Sequence, residues 1–185
     1  MNREKALNLI KQNVKNKNSY KHMLAVEAVM RKLARRFEEN EEIWGIAGLV
    51  HDIDMEEVDY RENPQEHGKR GARILKEHGA GEEIINAAMA HNEETGKERN
   101  TLLEKAIFCT DPLTGLIVAS ALVLPSKKLN DLNANSVMKR YKEKDFAKGA
   151  RRDIIAHCSE IGLELSEFIS LGLEAMQEIS DDLEL

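Results

Sequence analysis

The chain has 185 residues, 42% hydrophobic and 32% charged, a balance that excludes a disordered polymer and suits one globular domain with a real core. Its net charge of −6 argues against a protein that grips a nucleic-acid backbone by bulk charge. A small phosphate-bearing ligand stays compatible, because a bound cation can supply the local positive charge.

Leu, Ala, Ile, Glu and Lys dominate, while aromatic residues are 4% and prolines number 3, which favours helix over strand. The opening residues hold no apolar run of signal-peptide length. Residues 3–14 read as a short amphipathic helix. Ser19 is placed to cap a longer one reaching about Phe37, with Leu24, Ala28, Met30 and Leu33 on its buried side. Residues 41–53, EEIWGIAGLVHDI, begin acidic and turn apolar, as a buried helix does, and 54–63 read as a loop. Asn63 as N-cap, Pro64 at the first helical position and Glu66 at the third predict a helix from there to His78, stopped at Gly79. Another helix occupies about 81–92, and 93–100 form a surface loop. Thr101 opens a long apolar helix to about 124, with a kink expected near Pro112. Its most apolar part, residues 116–124, is too short to span a bilayer. Two more amphipathic helices, broken near Gly162 and Leu163, are expected over roughly 134–182. Leu163, Leu165, Phe168, Leu171 and Met176 suit a core-facing stripe, or a homodimer surface. No segment alternates with period two for long, so the expected fold is all-α, a single multi-helix bundle over 1–185.

Two cysteines, Cys109 and Cys158, make no CxxC and lie in apolar helical runs, as buried free thiols do. A cytoplasmic protein with no nucleic-acid or membrane partner is the expectation.

Five of the six histidines fall between 22 and 91. Asp52 follows the apolar stretch Ile46 to Val50 near a helix C-terminus, where the helix dipole disfavours a negative charge. A buried carboxylate there needs a partner, and a cation is one. Asp111 repeats the problem inside KAIFCTDPLTGLIVASALVL, although an Asp-Pro break with a capping carboxylate explains it as well. His51 and Asp52 point about 100° apart on a helix and can still hold one ion between them. His22 and Asp111, from two other helices, would complete a four-ligand set of imidazoles and carboxylates, which suits Mn, Fe, Co, Ni or Zn.

The order H…HD…D in an all-helical chain of this size resembles the HD-domain phosphohydrolase superfamily, over about His22 to Leu124, with the C-terminal helices outside the shared core. The resemblance implies that His22, His51, Asp52 and Asp111 ligate a metal, with His51 and Asp52 at the catalytic centre. It also implies that His67 and His91 extend the site to a second ion, bridged by Asp52. His78, in KEHGAG, reads instead as a cation at a helix C-terminus. A common subgroup reads HDIGK, where the Lys faces phosphate. Here the run is HDIDM, so phosphate contact must come from elsewhere, and Lys69, Arg70 and Arg73 are candidates. Asp54 or Glu56 could orient the rings of His22 and His51. The absence of a GYP motif makes the cyclic-dinucleotide subgroup a poor match. The activity implied is metal-assisted hydrolysis of a phosphate ester or anhydride, of a nucleotide or a related small phosphorylated metabolite, using one or two divalent transition-metal ions. A metal-binding regulatory module and a di-iron oxygenase on the same scaffold are the alternatives.

Overall fold

Asparagine begins the first three helices. Asn2 precedes α1 (Arg3–Asn13), Asn16 precedes α2 (Lys17–Phe37) and Asn40 precedes α3 (Glu41–Val50), each accepting backbone N–H groups of the first turn through its side-chain oxygen. Asn16, and not Ser19, is therefore the cap of α2. Its oxygen takes the N–H groups of Asn18 and Ser19, and Ser19 becomes an ordinary first-turn residue.

The computed structural model describes residues 1–185, with seven further helices and no strand. They are α4 (Lys69–Glu77), α5 (Glu82–Ala90), α6 (Leu102–Leu122), α7 (Ala134–Lys142), α8 (Arg152–Ile155), α9 (Leu165–Gln177) and α10 (Ser180–Leu183). The fold is all-α.

The predicted helix start at Asn63–Pro64 is wrong. Residues 64–68 are turns, and α4 begins at Lys69 after Gly68, whose φ of 86° only glycine adopts readily. The cap comes from far away in sequence: Asp54 Oδ2 accepts the N–H groups of Gly68 and Gly71, both at 2.8 Å. At α6 the local signal holds. Thr101 and Glu104 form a capping box, each side chain accepting the other's backbone N–H. Helix α6 continues through Pro112 to Leu122.

Residues 134–182 hold more than two helices. Between α7 and α8 the chain leaves helical geometry, and the Arg152 guanidinium gathers three backbone carbonyls there, of Phe146, Ala147 and Ala150, and two from the last turn of α7, of Arg140 and Tyr141. A 3₁₀ segment, Ala156–Ile161, follows α8 and ends at Gly162.

Helix α6 lies against α2, α5, α7, α8 and α9. It is long and apolar enough to pass a length-and-composition test for a membrane span, but most of its faces are buried on those neighbours. Helices α2 and α3 approach closely at Gly48, where a Cβ would sit 2.9 Å from the Val26 carbonyl oxygen. One buried cluster runs from Ala6 to Leu183, and α9 packs on α2 and α6 as part of it. Cys109 and Cys158 are buried free thiols within it.

Candidate metal centre

His51 and His91 are the residues immediately after α3 and α5. Both rings fold back onto the helix they terminate. His51 Nδ1 lies 2.8 Å from the Gly48 carbonyl and His91 Nδ1 2.6 Å from the Ala88 carbonyl, groups that a helix end leaves without intrahelical partners. Each Nδ1 is therefore the protonated nitrogen, and each Nε2 keeps its lone pair. His22 reaches the same state from mid-helix. Thr114 gives its hydroxyl proton to the Asp111 carbonyl at 2.9 Å, so its oxygen accepts from His22 Nδ1 at 3.1 Å. His67, in the turn before α4, sets Nδ1 2.9 Å from Asp54 Oδ1, close enough for strong attraction although the N–H is poorly aligned with that oxygen.

Four Nε2 atoms thus face two carboxylates. His22 Nε2 lies 3.0 Å from Asp111 Oδ1 and 3.6 Å from Asp52 Oδ2, and His51 Nε2 lies 3.5 Å from that same Asp52 oxygen and 3.9 Å from Asp111 Oδ1. On the other side, His67 Nε2 and His91 Nε2 sit 3.1 and 3.2 Å from Asp52 Oδ1 and 3.0 Å from each other. Asp52 therefore divides its two oxygens between two clusters. His51, Asp52, His67 and His91 are buried, whereas His22 and Asp111 keep partial exposure and form the open side.

The two carboxylates stay ionised and draw positive charge onto two of the histidines around them, His22 and His67. Burial of His51 holds its pKa down to about 4, so it stays neutral at Nε2. Burial also works against charge on His67, yet Asp52 and Asp54 beside it push its pKa up to about 10. Burial resists ionisation of Asp52 and Asp111 too, but the histidines around them outweigh it and hold both below the usual carboxylate range.

The donors fit a metal. His51 Nε2 is buried with no hydrogen-bond partner, an arrangement that costs free energy unless something electrophilic sits in front of it. His67 Nε2, His91 Nε2 and Asp52 Oδ1 lie only 3.0–3.2 Å apart, about the separation of neighbouring ligands around an ion with bonds near 2.0–2.2 Å, and an ion there would take the place of the proton on His67 Nε2. Two groups, His22 with His51 and Asp52, and Asp52 with His67 and His91, could each hold an ion, and Asp111 faces the first. Imidazole and carboxylate together suit a divalent transition metal.

Of the predicted phosphate-binding residues, none lines the cleft beside this centre. Arg70 pairs with Glu57 at 2.8 Å, and exposed Arg73 pairs with Glu66 at 2.7 Å. With α4 starting at Lys69, that basic face turns outward. The cation that does line the cleft is Arg151, together with Tyr60 and Asn92. Arg151 lies 3.0 Å from Glu93 and also binds Asp153. Asn92 donates to the carbonyls of Pro64 and His67, which ties the His67 turn to α5. Of the two carboxylates expected to orient His22 and His51, Asp54 serves His67 instead, and Glu56 accepts the N–H groups of Lys15 and Asn16 outside the site. Thr114 was overlooked, although its spacing from Asp111 puts both on one helix face. Nothing local marks Arg151.

The family model described as HD domain matches residues 19–115 of the chain, slightly more than half of it. No curated protein and no solved structure matches it.

Proposed function

This chain belongs to the HD-domain family, and we propose that it is a metal-dependent phosphohydrolase acting on a phosphate ester or anhydride of a small cytoplasmic metabolite, nucleotides included. One observation carries the reading: four imidazoles have Nδ1 engaged and present Nε2 to two carboxylates.

His22, His51, Asp111 and one Asp52 oxygen would hold one divalent ion, and His67, His91 and the other Asp52 oxygen a second. Such ions supply Lewis acidity, a water nucleophile at neutral pH and neutralisation of phosphoryl oxygens. Thr114, the Gly48 and Ala88 carbonyls and Asp54 keep the rings in the tautomer that leaves Nε2 free. The part-exposed His22–Asp111 side admits water and substrate. Arg151, on the cleft wall, has the planar fork that matches phosphate oxygens. In the reaction a water oxygen bonds to phosphorus, the P–O bond to the leaving group breaks, and the leaving oxygen ends protonated.

Elemental analysis of the purified protein beside His67→Ala is the test, followed by a screen of phosphomonoesters and nucleotides with Mn. The expected result is about two ions per chain, falling to about one in the variant, with turnover in the wild type, in line with the two-metal chemistry of phosphate hydrolysis. A folded wild-type protein that takes up no metal after soaking would refute it.

A further inference from the structure

Beyond the metal centre, a row of adjoining hollows lies along α6. The cleft beside Arg151 shares Asp111 and Pro112 with a second hollow, and that hollow shares His22 and Gly115 with a third. The third is the largest, a chamber of about 440 Å³ between α2, α6 and the segment Leu183–Leu185. This size is within the range of small-molecule sites. Its apolar walls are aliphatic: Ala25, Val118, Leu122, Leu183 and Leu185. No Phe, Tyr or Trp lines it, and its one ring, His22, is turned by Nε2 to Asp111 and Asp52 as a proposed metal ligand. Its polar lining is Asn18, Lys21, His22, Thr114 and Glu184, of which Lys21 Nζ bonds Glu184 Oε2 at 2.5 Å and the Thr114 hydroxyl oxygen engages His22 Nδ1.

The passage between metal centre and chamber crosses Gly115. This glycine is in the middle of a helix, where it weakens the structure relative to alanine. It has no positive φ, and a Cβ there would meet nothing within 4 Å. Neither backbone conformation nor packing within the chain accounts for it. A ligand lying over α6 at this point does, because any side chain would project into its path. Leu122, 47% exposed, presents apolar surface at the chamber wall.

We infer that the chamber seats the organic body of the substrate and that this body is aliphatic, an alkyl phosphate being the class hydrolysed. The inference rests on the hydrolase reading for the phosphate end and on the chamber alone for the apolar end. Hydrolysis then yields inorganic phosphate at the metal centre and an alcohol in the chamber, the water oxygen staying on phosphorus and a water proton passing to the alcohol. Aliphatic walls reward each methylene buried, whereas a nucleobase would find no Phe, Tyr or Trp to stack on.

The test is calorimetric binding of non-hydrolysable n-alkylphosphonates, methyl to octyl, to the Mn-loaded full chain, compared with adenosine monophosphate. Affinity should rise roughly fourfold per methylene until the chamber is filled. Gly115→Leu, at an open helical position, should abolish that gradient and Gly115→Ala should flatten it in part, with methylphosphonate, which has no chain to pass over α6, binding as before. In parallel, hexanol should shift the methyl NMR signals of Val118, Leu122 and Leu185. A flat wild-type series, a gradient that survives Gly115→Leu, or tighter binding of adenosine monophosphate than of hexylphosphonate overturns the inference. Methyl groups silent to hexanol overturn it too, whether a second copy of the chain seals the chamber or it is not apolar enough. If no phosphonate binds but hexanol shifts those methyls, the hydrolase reading fails and the chamber stands.

Discussion

Asp54 and His67 meet side chain to side chain, Oδ1 2.9 Å from Nδ1, while the second oxygen of the same carboxylate caps α4. One residue thus sets both the tautomer of a proposed ligand and the position of the helix that follows it. Asp54→Asn keeps the volume and removes the charge. It should weaken binding of the second ion by roughly 10–100-fold and cost about 1–2 kcal/mol of stability, with the first ion little affected. Competition titration with a metal indicator and urea unfolding of the metal-free protein measure the two effects.

Thr114→Val is nearly isosteric and removes the oxygen that receives the His22 Nδ1 proton. The His22 ring then loses its tautomer lock. The ion at the His22–Asp111 side should bind roughly 10–100-fold more weakly, with the second ion unchanged. Histidine NMR of the metal-free variant should show His22 in mixed tautomers, a signature that simple loss of packing does not produce.

Arg152 ties three carbonyls of the chain between α7 and α8 to two at the end of α7, and this stretch brings Gly149 and Arg151 to the cleft. Arg152→Met should leave those carbonyls unpaired or hydrated and cost about 1–3 kcal/mol. Metal content should stay at the wild-type value while KM for a phosphorylated substrate rises. Equal losses in metal and KM would show that this loop supports the whole centre and not the cleft alone.

Glu104 offers a pH test remote from the metal. It is buried, which by itself would raise its pKa, but the Thr101 N–H, Lys97 and the Asn100 N–H prevail and hold it below the ordinary value of 4.5. A carboxylate depressed on folding contributes stability above its unfolded pKa and loses it as pH falls through the folded one. Wild type should therefore exceed Glu104→Gln by about 1–2 kcal/mol at pH 7. That difference should shrink steadily below pH 4.5. Paired urea melts from pH 7 to 3 read it directly.

What the sequence made legible, and what it did not, follows the range of the interactions. Thr101 and Glu104 announce the start of α6 because the cap and its target are three residues apart. Asn63 and Pro64 carry an equally good local signal, yet α4 starts at Lys69, because a carboxylate at position 54 reaches across the turn and offers a better partner. The six proposed ligands could be named because histidines and carboxylates beside apolar runs are conspicuous in one dimension, and the structure gathers all six. Arg151 could not, since it reaches the cleft only through a loop whose shape Arg152 imposes. Lys69, Arg70 and Arg73 looked suitable as a basic helical face, but a face has no direction until the start of its helix is known.

The six side chains of the centre come from five separate stretches of chain: α2, the end of α3, the turn before α4, the end of α5 and α6. An unfolded chain holds no such arrangement, so ions bound there act as a weight on the folded side of the equilibrium. At a free concentration one hundred times the dissociation constant, a single ion adds about 2.7 kcal/mol. With ions bound as proposed, the lifetime of the folded chain would follow the supply of metal, and starvation for that metal would expose it to proteolysis.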